Sequence, residues 1–228
     1  MKRKLIITID GPSGAGKSTV SQLLAEKLKY QYIDTGALYR VVALKVKQEN
    51  LDPEDEDGLS LLCNRLDVYF GKKNGKLGFF LEGKDVSEEI RTPEMSLLAS
   101  GVSAKKVVRD ALLKIQRKLG DGGGIVVEGR DMGTVVFPEA EVKFFLNASL
   151  NIRGERRFKQ YRDKGKVFDL DKIIREIEKR DSDDTRRALS PLKPADDAIE
   201  VDSTKMNLEE VVEAMLKIVQ QRLPSSSK

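Results

Sequence analysis

The chain has 228 residues, 39% of them apolar, with 18 Gly and 7 Pro. That is too apolar for a disordered chain and too poor in Gly and Pro for a collagen-like or low-complexity one. Its 41 Lys and Arg against 37 Asp and Glu leave a net charge of +4, which suits an anionic ligand but equally a well-solvated surface.

The absence of histidine excludes Ser-His-Asp and Cys-His catalysis and His-containing zinc sites. The single cysteine, Cys63, excludes an internal disulfide, and its leucine neighbours mark it as a small buried apolar residue. No apolar run approaches the ~18 residues of a membrane span. The stretch Leu5–Ile9 stops at Asp10 without the cleavage site of a signal peptide. A cytoplasmic protein with no membrane contact is expected.

Leu5-Ile6-Ile7-Thr8-Ile9 reads as a short strand covered on both faces. Lys17 to Leu28 then places Val20, Leu23, Leu24 and Leu28 on one helical stripe. Further short apolar runs are Tyr32-Ile33, Ile125-Val126-Val127, Val142 to Leu146 and Ala198 to Val201. Helical patterns separate them: Val108 to Leu119, Ile173 to Ile177, and Leu208 to Val219, the last with a capping box from Asn207 to Glu210. Strands alternating with helices predict an α/β fold of three layers, with a five-stranded parallel sheet between helices. Leu66 to Phe70 and Leu77 to Leu81, joined by a loop from Gly71 to Lys76, predict a small antiparallel insertion. It would begin after the acidic loop Asp52 to Asp57 and end near Thr92-Pro93, and the tail 224–228 is expected to be disordered.

Gly11-Pro12-Ser13-Gly14-Ala15-Gly16-Lys17-Ser18 matches G-x-x-x-x-G-K-[ST] between the first strand and the first helix. Glycines let such a loop turn its N–H groups toward phosphate oxygens, and the helix N-terminus adds partial positive charge. Lys17 would reach the β- and γ-phosphates, and the Ser18 hydroxyl would be a ligand for Mg2+. The motif predicts binding of a nucleoside triphosphate. A guanine-reading N-K-x-D motif is absent, which favours a small-molecule kinase over a GTPase switch.

A second group of charged residues follows the later strands. Asp34-Thr35-Gly36-Ala37-Leu38-Tyr39-Arg40 ends the second strand, where ligands of an open parallel sheet sit, so Thr35 and Arg40 are expected beside the loop. Glu128-Gly129-Arg130-Asp131-Met132-Gly133-Thr134-Val135-Val136-Phe137-Pro138 ends the third, and Arg180, Asp184 and Arg187 follow the Ile173–Ile177 helix. With these motifs the chain resembles the bacterial-type cytidylate kinases, P-loop enzymes that phosphorylate CMP and dCMP. The resemblance runs over essentially the whole chain. Thr35 stands where Ser is frequent, Glu128 where Asp is frequent, and Ser18 where some members have Gly.

The resemblance implies roles. Gly11 through Thr19 would bind ATP, with Lys17 catalytic. Arg40, Arg130 and Arg187 would clamp the acceptor phosphate, for which the planar guanidinium fork is suited, and Thr35 would add a hydroxyl. Ser100, Arg109 and Asp131 would read cytosine, and Arg180 and Asp184 would hold the ribose. Arg153, Arg156 and Arg157 fall where the family's helical lid closes, Arg153 and Arg157 being catalytic and Arg156 bound to ATP. A solvated helix face or an RNA-binding stripe remain alternative readings of these arginines, although the aromatics needed for base stacking are scarce.

The expected division is a core (about 1–34, 105–150 and 167–223), an acceptor-binding region with the β insertion (about 35–104) and a lid (about 151–166). The cofactors are ATP and Mg2+, the partners are small nucleotides and not nucleic acid, and a single acceptor pocket calls for no more than a monomer. A monophosphate acceptor has a second pKa near ~6, so its attacking oxygen is mostly ionised at neutral pH and no strong base is required. Asp131 is accordingly assigned to base recognition.

Overall fold

The computed structural model describes residues 4–73, 76–163, 165 and 168–223. Strand β1 (Ile6–Asp10) is buried over its last four residues, as its apolar run requires. It pairs in parallel with β6 (Ile125–Gly129) on one side and β7 (Val142–Asn147) on the other. β8 (Ile199–Asp202) pairs in parallel with β7, and β2 (Gln31–Asp34) completes the order β2-β6-β1-β7-β8. The five-stranded parallel sheet is as expected, each strand lying within a few residues of its apolar run.

The chain forms two compact units, one of residues 1–33 with 120–228 and one of 34–119. In the first, α1 (Lys17–Leu28) and α8 (Leu208–Arg222) enclose a core with the sheet, built from Ile7, Ile9, Leu24, Phe144, Val212 and Met215. The capping box of α8 is present, Asn207 accepting from the Glu210 N–H and Glu210 from the Asn207 N–H. α6 (Leu150–Arg162) packs on α7 (Leu170–Arg186) at Gly154, where an added Cβ would stand 2.5 Å from Ile174 Cγ1. The expected lid therefore contains α6, while positions 164, 166 and 167 and the tail 224–228 lie outside the described residues.

The second unit differs from the expectations at several points. It contains α2 (Thr35–Gln48), α3 (Glu56–Asn64) and α4 (Pro93–Val102), none of which was read from the sequence. The acidic loop ends early, because Asp55 caps α3 and Glu56 and Asp57 form its first turn, where carboxylates favour the helix dipole. The insertion has three strands, β3 (Val68–Lys73), β4 (Lys76–Leu81) and β5 (Lys84–Asp85). Pairing reaches Lys73 and Lys76, so the joining loop is shorter than expected, with 74–75 outside the described residues.

Finally, α5 (Lys106–Leu119), assigned to the core region from sequence, belongs to the second unit, where Val108 and Leu112 join Leu38, Val42, Leu59 and Leu62. Cys63 is packed against this cluster but is only half-buried, and desolvation raises its thiol pKa.

Candidate active site

The loop after β1 takes its shape from glycine where no other residue fits. Gly11 has φ +149°, and a Cβ there would lie 2.0 Å from the Leu146 carbonyl oxygen. Gly14, at φ +78°, lets the loop approach the main chain of Arg153, whose carbonyl oxygen would be 3.0 Å from an added Cβ. Gly16 stands at the N-cap of α1 and no side chain caps it. The first N–H groups of this helix are therefore available to an acceptor from outside, the arrangement that favours an anion.

Lys17 opens α1 and is buried, its Nζ donating to the Pro12 carbonyl at 2.7 Å. Burial pushes its pKa down to about 7, and the charge of Arg130 adds to the effect, while Glu128 works against it. Ser18 and Thr19, the next residues, have exposed side chains. Asp10, the last residue of β1, accepts the N–H groups of Met132 at 2.9 Å and Gly133 at 2.8 Å. Those amides begin a π-helical turn, Met132–Val136, that follows Arg130 and Asp131. Burial raises the Asp10 pKa to about 6, against the pull of the two hydrogen bonds.

Arg130 and α7 form a charged cluster. Arg130 Nε donates to Asp184 Oδ2 at 2.8 Å. Burial alone would lower the Arg130 pKa, but Asp184, then Asp181 and Glu128, hold it above its ordinary value. Burial alone would raise that of Asp184, but Arg130, Arg180 and Arg187 bring it below the ordinary carboxylate range. Arg187 Nε donates to the Ser190 carbonyl at 2.6 Å, and its guanidinium lies 3.6 Å from Asp184 Oδ1 and 4.0 Å from Asp131 Oδ1. Five expected residues, Arg130, Asp131, Arg180, Asp184 and Arg187, are thus brought into one network of contact and charge.

Of the three arginines singled out on α6, Arg153 and Arg156 hold the loop directly. Arg153 donates from Nε to the Ala148 carbonyl at 2.9 Å and from a terminal nitrogen to the Ser13 carbonyl at 2.8 Å. Arg156 reaches the Ala15 carbonyl at 3.2 Å and the Ser203 carbonyl at 2.8 Å. Arg157 turns elsewhere, donating to the Tyr161 hydroxyl at 3.3 Å with its guanidinium 5.4 Å from that ring.

The remaining expected residues belong to the second unit. Asp34 caps α2 by accepting the Ala37 N–H at 3.0 Å, and its other oxygen receives Arg40 at 2.7 Å. Thr35, the first residue of α2, is buried. Arg109 on α5 donates to the Ser103 carbonyl at 3.1 Å, and its guanidinium carbon lies 5.6 Å from the Tyr39 ring centroid. The Ser100 carbonyl accepts the Ser103 hydroxyl at 2.8 Å.

Sequence reasoning missed three participants. Asp10 ended the first strand and was given no role. Tyr32 donates its phenolic proton to Glu128 at 2.5 Å, buttressing a carboxylate whose charge is felt at Lys17. Asp181 accepts the Ser13 N–H at 2.9 Å and pairs with Arg153. The α7 pattern carried a signal for it: Ile173, Ile177, Asp181 and Asp184 step by one turn each, so the apolar stripe becomes carboxylate just where it needs a buried partner.

Among the described residues, no group of three or more Asp, Glu, Cys or His is placed to hold a metal by itself, and no helix is long and apolar enough to cross a membrane. A family model described as cytidylate kinase matches residues 7–221. The cytidylate kinase of Syntrophotalea carbinolica is 52% identical over 222 residues, covering 97% of this chain and 94% of that protein. That of Geobacter sulfurreducens is 48% identical over 221 residues, covering 97% and 95%. A crystal structure of an uncharacterized protein from Eubacterium ventriosum superposes with a TM-score of 0.53 at 12% identity, covering 96% of this chain and 99% of that one, a likeness of fold alone. With motifs, local geometry and relatives in agreement over nearly its whole length, the chain belongs to the cytidylate kinase family.

Proposed function

We propose that the protein transfers the γ-phosphate of ATP to CMP or dCMP, giving ADP with CDP or dCDP, as a cytoplasmic monomer. The observation that carries this reading is the gathering of like charge at the loop. Burial and Arg130, then Arg180, disfavour the Lys17 ammonium, against the pull of Glu128 and Asp10. A buried ammonium beside arginines is favoured by phosphorylated ligands, whose charge offsets that of the cations.

In this reading Gly11, Pro12, Ser13, Gly14, Ala15, Gly16, Ser18 and Thr19 hold the ATP phosphates with Lys17, and Arg156 borders them. Arg130 and Arg187, with Arg40 and Thr35, grip the CMP phosphate. Arg109, Ser100 and Asp131 read the cytosine edge, which presents an amino donor and two acceptors. Arg180 and Asp184 hold the ribose. The attacking phosphate oxygen is already ionised, so the work of the protein is in-line positioning and neutralisation of charge on the transferred group by Lys17, Arg130, Arg153 and Arg157.

The donor set fits a Mg2+ ion that keeps its water and phosphate ligands: an exposed hydroxyl at Ser18 on the uncapped turn of α1, with no competing protein cage among the described residues. Bound with ATP, the ion supplies neutralisation of the β,γ-phosphate charge. An ADP-release assay with CMP, dCMP, UMP and AMP as acceptors tests the assignment. Turnover dependent on CMP or dCMP is expected, and a preference for AMP, or ADP release without an acceptor, would overturn it.

A further inference from the structure

Helix α7 carries the proposed acceptor residues Arg180 and Asp184, with Arg187 just past its end, and it also carries Asp181, which reaches the loop. One oxygen accepts the Ser13 N–H at 2.9 Å, and the other pairs with Arg153. Its charge is also among those that raise the Arg130 pKa. The same terminal nitrogen of Arg153 donates to the Ser13 carbonyl at 2.8 Å, so both main-chain polar groups of Ser13 are held by one ion pair. That pair is well enclosed, its side chains 9% and 16% exposed. Gly14 lets the Arg153 main chain close on the loop, and Arg153 Nε is fixed on the Ala148 carbonyl.

The Arg153 guanidinium is therefore triangulated by Ala148, Ser13 and Asp181. Two of its anchors are neutral carbonyls, and only Asp181 supplies charge. A guanidinium held in place in advance needs no reorganisation as negative charge spreads over the transferred group. The Ser13 amide fixed by the same carboxylate keeps the loop's curvature. We infer that Asp181 is a positioning residue for phosphoryl transfer, acting through Arg153 and the Ser13 amide, and joining the ATP loop to the helix that carries Arg180 and Asp184. The inference rests on the proposed kinase reaction.

Asp181→Asn tests it, because the amide oxygen can still accept the Ser13 N–H while the charge opposite Arg153 is gone. The variant is combined with Arg153→Lys in a double-mutant cycle, with kcat and the KM for CMP measured for all four proteins. Asp181→Asn should lower kcat by about tenfold, with the KM for CMP shifted by less than about twofold. In the Arg153→Lys background the further loss should shrink below about twofold, since both changes remove one interaction. An unchanged kcat, a loss confined to KM, or losses that multiply would each overturn the role. Should Asp181→Asn not fold, Asp181→Glu, which keeps the charge but displaces it by a methylene, runs the same cycle with the same criteria. Wild-type turnover of CMP in the same assay separates the two ideas: its absence rejects the kinase reading, and its presence with an additive cycle rejects only Asp181.

Discussion

The Lys17 ammonium folds back on its own loop, donating to the Pro12 carbonyl over 2.7 Å. Buried there, with its pKa pushed down to about 7, it is only partly charged at neutral pH. Triphosphate oxygens would favour the charged form and raise the pKa again. Above pH 7, binding of ATP must then take up a proton, and affinity should fall by up to about tenfold per pH unit. Calorimetry at pH 8 in two buffers of different ionisation enthalpy reads that uptake directly. Lys17→Met should abolish the uptake and weaken ATP binding. The same variant should not lower thermal stability at pH 7, because a lysine with a depressed folded pKa opposes folding at every pH below its ordinary value of 10.5.

Asp10 carries the opposite linkage. Its folded pKa of about 6 lies above the ordinary 3.8, so the folded state binds this proton more tightly than the unfolded state. The cost of burying the carboxylate is fully present above pH 6 and is relieved as pH falls toward 4, by roughly 2 kcal/mol between pH 7 and pH 4.5. Asp10→Asn lacks the titration. Its stability relative to wild type should therefore worsen by about that amount over the interval, as measured by urea unfolding at the two pH values. A difference independent of pH would show that Asp10 titrates normally.

The legible parts of this fold were those whose cause is local. The apolar run of β1, the glycine spacing of the loop and the stripe of α1 lie within neighbouring residues. Helices α3 and α4 escaped because their buried sides are thin. α3 buries only Leu59 and Leu62, and α4 buries Met95, Ala99 and Val102 while leaving Leu97 75% exposed. The segment Met132–Val136, β-branched from Thr134 on, becomes a π-helical turn whose first amides are tied to Asp10 across 122 and 123 residues of chain, a constraint no local pattern contains. In the site, motif residues were readable as residue types. Which arginine meets which carboxylate was not: Asp181 reaches Arg153 across 28 residues and Ser13 across 168.

Arg130 separates charge from shape. Its Nε is engaged with Asp184 at 2.8 Å, and its remaining N–H groups include one that donates to the Gly129 carbonyl at 3.3 Å. In Arg130→Lys the single ammonium can keep the partner Asp184 or grip a phosphate, but it cannot hold both in the fork geometry. Turnover of CMP should fall by about 100-fold, with thermal unfolding shifted by only a few degrees, because the Asp184 charge keeps a cationic partner. Wild-type rates in this variant would remove Arg130 from the phosphate clamp.

Asp34 offers a pair of substitutions that divides stability from acceptor binding. One oxygen caps α2 at the Ala37 N–H and the other holds Arg40, with Gly36 leaving room between them: a Cβ there would stand 3.2 Å from the carboxylate and 3.5 Å from the guanidinium. Asparagine caps helices as well as aspartate does, whereas alanine costs about 1 kcal/mol. Neither replacement restrains Arg40 with a charge. Its Nε is buried and makes no hydrogen bond, so loss of Asp34 leaves the guanidinium poorly anchored. Asp34→Asn should therefore keep the thermal stability of the wild type and Asp34→Ala should lose it, while both raise the KM for CMP several-fold and leave that for ATP nearly unchanged. An acceptor KM that follows stability, rising only in the alanine variant, would mean that Arg40 serves the fold of α2 and not the nucleotide.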